Sequence, residues 1–224
     1  MEAVFLGQNQ AGEEIYNWLN QREDTDVLAL LTEKDQLSLI EKLEPEIVIS
    51  AGFEHKVPKE IIEVPEKGII NLHPSFLPYN RGAHPYIWPI IEDTPAGVSI
   101  HQMTEEIDHG PIIDRREVPV YPDDTGKSLH ERLMREQVQQ FKENWADIKQ
   151  GNIQKTQQSP GRGTTHYKKD LEDERRIKLN EETSKEDFID ELRALTYPPH
   201  RNAYIERNGK KYHLELDIVP DDTR

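Results

Sequence analysis

The first seventy residues carry four short apolar runs: Val4-Phe5-Leu6, Val27 to Leu31, Ile47 to Ala51, and Ile69-Ile70. Each is continuous rather than alternating, the pattern of strands covered on both faces in a parallel sheet. The stretches between them read as helices. Ile15, Trp18 and Leu19 share one face after Gly12, Asp35 to Leu43 is apolar at helical spacing and stops before Pro45, and Pro58 opens a short helix over Lys59 to Glu63. The order is βαβαβαβ, with right-handed crossovers. Gly7 and Gly12 suit a tight strand-to-helix turn, but they do not form the glycine triplet of a dinucleotide site.

Beyond residue 96 the pattern changes. Gly97 to Met103 alternates and predicts a strand, and Ile112-Ile113 and Val118 to Val120 continue the sheet with an antiparallel edge. A long helix is expected over Gly126 to Lys149, with Leu129, Leu133, Val138, Phe141 and Trp145 on its apolar side and Gly151 closing it. Residues 154–166 read as a polar linker, and 167–184 as an irregular charged surface stretch. Ser184 caps a helix over Lys185 to Leu195. Around Asn208-Gly209, two alternating arms over 203–215 predict a hairpin with a type I′ turn. A two-stranded hairpin is marginal alone in water, so it leans on the main domain or on a second chain. The fold class expected is α/β: a Rossmann-like, mostly parallel sheet with helices on both faces, over 1–150, then a linker, helix and β-hairpin tail over 151–224.

Composition narrows the function. The chain has 224 residues, 34% hydrophobic and 32% charged, so its core is modest and its surface heavily charged. There is no run of about 18 apolar residues to cross a membrane. MEAVFLGQ runs directly into a strand without a basic leader, so secretion is not expected. The absence of cysteine excludes disulfides, thiolate metal sites and cysteine nucleophiles, and suits a cytoplasmic protein. A net charge of −15, spread along the chain, disfavours nucleic-acid backbones.

The chemistry gathers in residues 68–84, GIINLHPSFLPYNRGAH, and 105–113, EEIDHGPII. Asn71 and His73 sit two apart on a strand end and so point to one face. Pro74 and Pro78 then force an extended path, and Asp108 stands just before the turn signal His109-Gly110-Pro111. An amide to meet an oxyanion, a titratable ring and a carboxylate to orient it are a working set for acyl transfer. Singly, each is more often turn chemistry or a satisfied histidine; together, the flanking residues reverse those odds. His101 is read as buried and paired rather than part of the site. No metal-ligand spacing is present.

These blocks, NLHPSFLP, RG, GVSIHQM and EEIDHGPII, resemble the formyltransferases that use 10-formyltetrahydrofolate, over roughly residues 1–150. The resemblance implies that Asn71, His73 and Asp108 are the catalytic trio; a close carboxylate at 108 should orient His73 and raise its pKa. It further implies that Lys56, Val57, Pro58 and Ser75 border the folate pocket, and that 10-formyltetrahydrofolate is the formyl donor. Asn80 to Pro85 with Trp88, the segment Gly163 to Tyr167 and the tail are most similar to the sugar N-formyltransferases, which act on nucleotide-linked amino sugars and dimerise. For that acceptor, Tyr79, Arg81, His84 and Trp88 are candidate contacts; Arg81 offers a fork for phosphate or carboxylate, although an isolated Trp88 is more often core. A homodimer using the hairpin is expected. The alternatives are methionyl-tRNA or glycinamide ribonucleotide formyl transfer and, of another class, a folate-binding module without turnover.

Overall fold

The computed structural model describes residues 1–159 and 161–221. Strand β1 (Glu2–Leu6) leads through helix α1 (Gln10–Asn20) to β2 (Asp26–Leu31). A 3-10 turn over Lys34–Ser38 and helix α2 (Leu39–Leu43) lead to β3 (Ile47–Ala51), and helix α3 (Lys59–Ile62) to β4 (Ile69–His73). The expected single helix from Asp35 is thus split. The Gln36 side chain accepts both the Thr32 and Glu33 N–H groups, and that clamp tightens the first turn.

The second half holds β5 (Arg81–Gly82), α4 (Trp88–Ile91), β6 (Gly97–Gln102), β7 (Ile112–Glu117) and the long α5 (Gly126–Gln150). The tail follows with β8 (Thr165–His166), α6 (Lys168–Glu174), α7 (Lys185–Leu195), β9 (Thr196–Tyr197), β10 (His200–Arg201) and the hairpin β11 (Tyr204–Arg207) and β12 (Lys210–His213). Among the described residues, no helix is long and apolar enough to cross a membrane.

The main sheet runs β2-β1-β3-β4-β6-β7. Its first three pairings are parallel and its last two antiparallel, so it is mixed, and the antiparallel portion is two strands deep rather than an edge. Val118 to Val120 lies beyond β7: the Val118 N–H still reaches Ala96 O, but Pro119 has no N–H to continue the ladder. Alternation along β1 explains the two-sided core. Ala3 and Phe5 pack with α1 and α5, while Val4 and Leu6 pack with α2 and α3. Gly151, at φ 75, ends α5 as expected. On α5, Leu129, Leu133, Phe141 and Trp145 are all buried, each contributing about 1.5–3 kcal/mol relative to exposure.

Two expectations for the tail need correction. Residues 167–184 are not simply irregular, because α6 forms there and Leu171 and Ile177 are buried with Leu129, Leu133 and Leu195 in a third cluster. Two apolar side chains were enough to dock a charged segment. Nor is 154–166 a free linker: Ile112 and Thr156 exchange both backbone hydrogen bonds at 2.8 Å, and β8 pairs with β5. The hairpin does carry the expected turn, with Asn208 at φ 51 and Gly209 at φ 73. It leans on the tail through Ile177 N–H to Tyr204 O (3.0 Å) and Tyr204 N–H to Arg175 O (2.8 Å), while all of β12 is exposed.

Candidate active site

Strand β4 decides which side of the sheet carries the chemistry. Ile70 and Leu72 point into the core under α1 and α5, so Asn71 and His73 point to the opposite face, together with Ile69. The antiparallel neighbour β6 sets His101 opposite Asn71 and Ser99 opposite His73. A sharp turn after β6 returns Asp108 to the same spot. Gly110 makes that turn possible, since a Cβ there would lie 1.7 Å from Gln102 O.

Asp108 is the hub. Its Oδ2 lies 3.5 Å from His73 Nδ1 and accepts the Gly82 N–H at 2.8 Å. Its Oδ1 lies 3.3 Å from His101 Nε2 and accepts from Asn71 Nδ2 at 3.4 Å. Burial pushes the Asp108 carboxyl up, but the two imidazoles beside it and the Gly82 N–H outweigh that and hold it well below the ordinary carboxylate range. Asp108 itself takes φ +55, a left-handed conformation that aspartate tolerates. Gly82 is required at its position: at φ +85, a Cβ would meet His166 O at 2.2 Å.

His73 is buried, and Nε2 faces Asn80 O at 3.1 Å. Each ring nitrogen thus faces an acceptor, Asn80 O at Nε2 and Asp108 Oδ2 at Nδ1, and the neutral ring can donate to one of them at a time. Burial lowers the His73 pKa, and the charge of Asp108 and the Asn80 carbonyl only partly offset it. Asp108 does raise this pKa, as expected, but desolvation of the ring is larger and sets the net direction. Asn80, at φ +56 and fully buried, is held by Thr94 and Thr164.

His101 is buried and paired as expected, but its partners are the site itself. Nδ1 lies 3.1 Å from Gln102 O, so a proton there leaves Nε2, at 3.1 Å, to accept from Asn71 Nδ2. One Asn71 N–H is thereby spent between His101 and Asp108, and the amide orientation is set. The alternation of Gly97 to Met103 does not reveal this; the register of β6 against β4, which pairs His101 with Asn71, does. Gln158, which meets Arg81, left no signal at all in its polar surroundings.

The remaining candidates divide. Lys56 is exposed, Val57 buried and Pro58 half-buried, on the loop after β3 at the same sheet edge. Ser75 cannot reach a ligand with its side chain: it is fully buried, and its carbonyl accepts from Ser99 Oγ at 2.7 Å. Arg81 is not a free fork, because Nε and Nη2 donate to Gln158 Oε1 at 3.0 and 2.8 Å. Trp88 is core: it is buried, stacked on His166 at 4.0 Å, and donates Nε1–H to Ala83 O. Tyr79 and His84 are half-buried; His84 lies beside Tyr86, and its pKa is lowered first by burial and then by Arg175 and Lys168.

The chain is similar to several known proteins along most of its length. The sequence profile described as "Formyl transferase" matches residues 28–144, and that of the "N-formyltransferase dimerization C-terminal domain" matches 170–220. The dTDP-4-amino-4,6-dideoxyglucose formyltransferase of Mycobacterium tuberculosis is 34% identical over 180 residues, 79% of this chain and 74% of that protein. The crystal structure of a sugar N-formyltransferase from a Shewanella species superposes with a TM-score of 0.88 at 26% identity, over 98% of both chains. The formyltransferase PseJ from Anoxybacillus kamchatkensis, in complex with UDP-4,6-dideoxy-4-formamido-L-AltNAc and tetrahydrofolate, superposes at 0.70 and 33% identity, over 77% of this chain and 89% of that one. With the first profile spanning more than half of its residues, this chain belongs to the formyl transferase family and is an enzyme that moves a formyl group.

Proposed function

We propose that the enzyme transfers a formyl group from 10-formyltetrahydrofolate to the primary amine of a nucleotide-linked amino sugar, with Asn71, His73 and Asp108 as its catalytic residues. The observation that carries this reading is the convergence of the three side chains, with both Asn71 and His73 within 3.5 Å of the Asp108 carboxylate. The dTDP-linked amino sugar in the name of one relative and the UDP-linked formamido sugar bound to another support the acceptor class.

The folate supplies an activated formyl group. The loop after β3 suits it: Val57 is buried in an apolar cluster against which Phe53 and Met103 pack, and the 56–58 segment offers backbone groups to a heterocycle. Tyr79 and His84 are proposed on the acceptor side. The N–H of Asn71 not held by His101 and Asp108 meets the formyl oxygen as negative charge grows there. His73, kept neutral by burial, takes the proton of the attacking amine as its nitrogen bonds to the formyl carbon, and returns it to the departing folate nitrogen as the old carbon–nitrogen bond breaks. Once protonated, the ring has an acceptor at each nitrogen, Asn80 O and Asp108, so the state formed during reaction is the one the site satisfies.

The test is release of tetrahydrofolate on incubation with 10-formyltetrahydrofolate and, separately, dTDP-4-amino-4,6-dideoxyglucose, a UDP-linked amino sugar, glycinamide ribonucleotide and charged initiator tRNA. Release is expected with a nucleotide amino sugar. Turnover confined to the tRNA or the ribonucleotide would replace this reading.

The division at residue 150, with 151–224 as a dimerisation element, belongs to the same proposal, as does a cytoplasmic setting, supported by the lack of cysteine. Support for the dimer comes from the C-terminal profile and from β12, whose Tyr212 is half exposed. Light scattering at micromolar concentration should give the mass of two chains; the mass of one would remove the dimer.

A further inference from the structure

We infer that Gln158 is a positioning residue for the catalytic carboxylate, reaching into the site from the segment that joins the sheet domain to the tail. This deepens the proposed function and rests on its assignment of Asp108. The Gln158 amide is used in full. Nε2 donates to Asp108 O at 2.7 Å and to Gly110 O at 2.8 Å, while Oε1 accepts from Arg81 Nε at 3.0 Å and Nη2 at 2.8 Å.

The consequence is a closed ring of contacts. Arg81 is followed by Gly82, whose N–H holds Asp108 Oδ2. Gln158 holds the backbone of Asp108 from the other side. The carboxylate is therefore fixed at both its head and its main chain. These contacts hold Asp108 at φ +55, a left-handed conformation that aspartate tolerates but does not prefer. Residue 158 lies in neither matched profile, which end at 144 and begin at 170. Its segment is itself anchored, by the paired hydrogen bonds of Ile112 and Thr156 on one side and by β8 on β5 on the other.

The chemistry demands an amide. Glutamate would keep the Arg81 contact, as an ion pair, but has no donor for the two carbonyls; alanine loses both. The two variants therefore separate a role in placing Asp108 from a role in merely holding Arg81.

Gln158→Ala and Gln158→Glu are to be assayed beside wild type and Asp108→Ala, with 10-formyltetrahydrofolate and dTDP-4-amino-4,6-dideoxyglucose, after circular dichroism confirms folding. Both Gln158 variants should lose about 10- to 100-fold in kcat, the scale of a small misplacement of a reacting group. KM for both substrates should change little. The acid limb of kcat/KM should move to lower pH, because a carboxylate that retreats from His73 no longer raises the ring's pKa. Wild-type kcat in folded Gln158→Ala, or recovery of wild-type kcat in Gln158→Glu, would overturn the inference; the glutamate variant carries the test if the alanine variant does not fold. Full activity in Asp108→Ala would overturn the site assignment and this inference with it, whereas a crippled Asp108→Ala beside a full-rate Gln158→Ala overturns the inference alone.

Discussion

Alanine at position 108 is expected to lower kcat by about 1,000-fold while leaving the fold intact, within the range for loss of acid–base assistance. Three functions vanish with one carboxylate. His73 loses the acceptor on its Nδ1 side, so the protonated ring is no longer stabilised there. Asn71 loses one of the two groups that orient its amide. The Gly82 N–H loses its partner, which loosens the loop beside the site. Because these effects act on the state formed during reaction, the change should fall on kcat with KM nearly unmoved. The pH profile has a definite sign. Burial holds the His73 pKa below its ordinary value of 6.5, and Asp108 is the largest influence opposing it. Its removal shifts the acid limb of kcat/KM further down, so the residual activity persists to lower pH than wild type. Asp108→Asn, which keeps the size and an acceptor for Gly82, should remain slow. Near-normal rates in both variants would remove the aspartate from the mechanism.

Asn71→Ala is expected to lower kcat by about 100- to 1,000-fold, the usual cost of one oxyanion donor. The loss should be catalytic rather than structural, since Asn71 stands on the half-open site face of β4, opposite Ile70 and Leu72 in the core. Asn71→Asp sharpens the test. It preserves the shape, replaces a donor with an acceptor, and sets a second carboxylate against Asp108. It should be at least as slow as the alanine variant. A rate in Asn71→Asp close to wild type would mean that no donor is needed at that position.

Much of the architecture was legible from local pattern. The continuous apolar runs placed β1 to β4 because a strand covered on both faces has no polar side to show. Gly151 and Asn208-Gly209 marked a helix end and a hairpin because their backbone conformations favour few residues. The misses share a cause as well. The second antiparallel strand, the docking of 167–184 and the wrapping of 154–166 all depend on a partner far along the chain, and no local pattern carries that information.

The site divides along the same line. Asn71, His73 and Asp108 could be proposed from sequence because spacing on a strand and a turn signal constrain where such side chains point. What those groups touch is a different matter. That His101 joins them follows from strand register, that Gln158 holds Arg81 follows from the path of a later segment, and that Ser75 and Trp88 are sealed away follows from packing. The sign of the His73 pKa is of this second kind. It is a balance between desolvation and nearby charge, summed over neighbours that only the folded chain assembles. Residue order alone determined which groups could be proposed for formyl transfer and the strand or turn that bears each; tertiary structure decided their protonation, their partners and their burial, because those properties depend on distance through space rather than along the backbone.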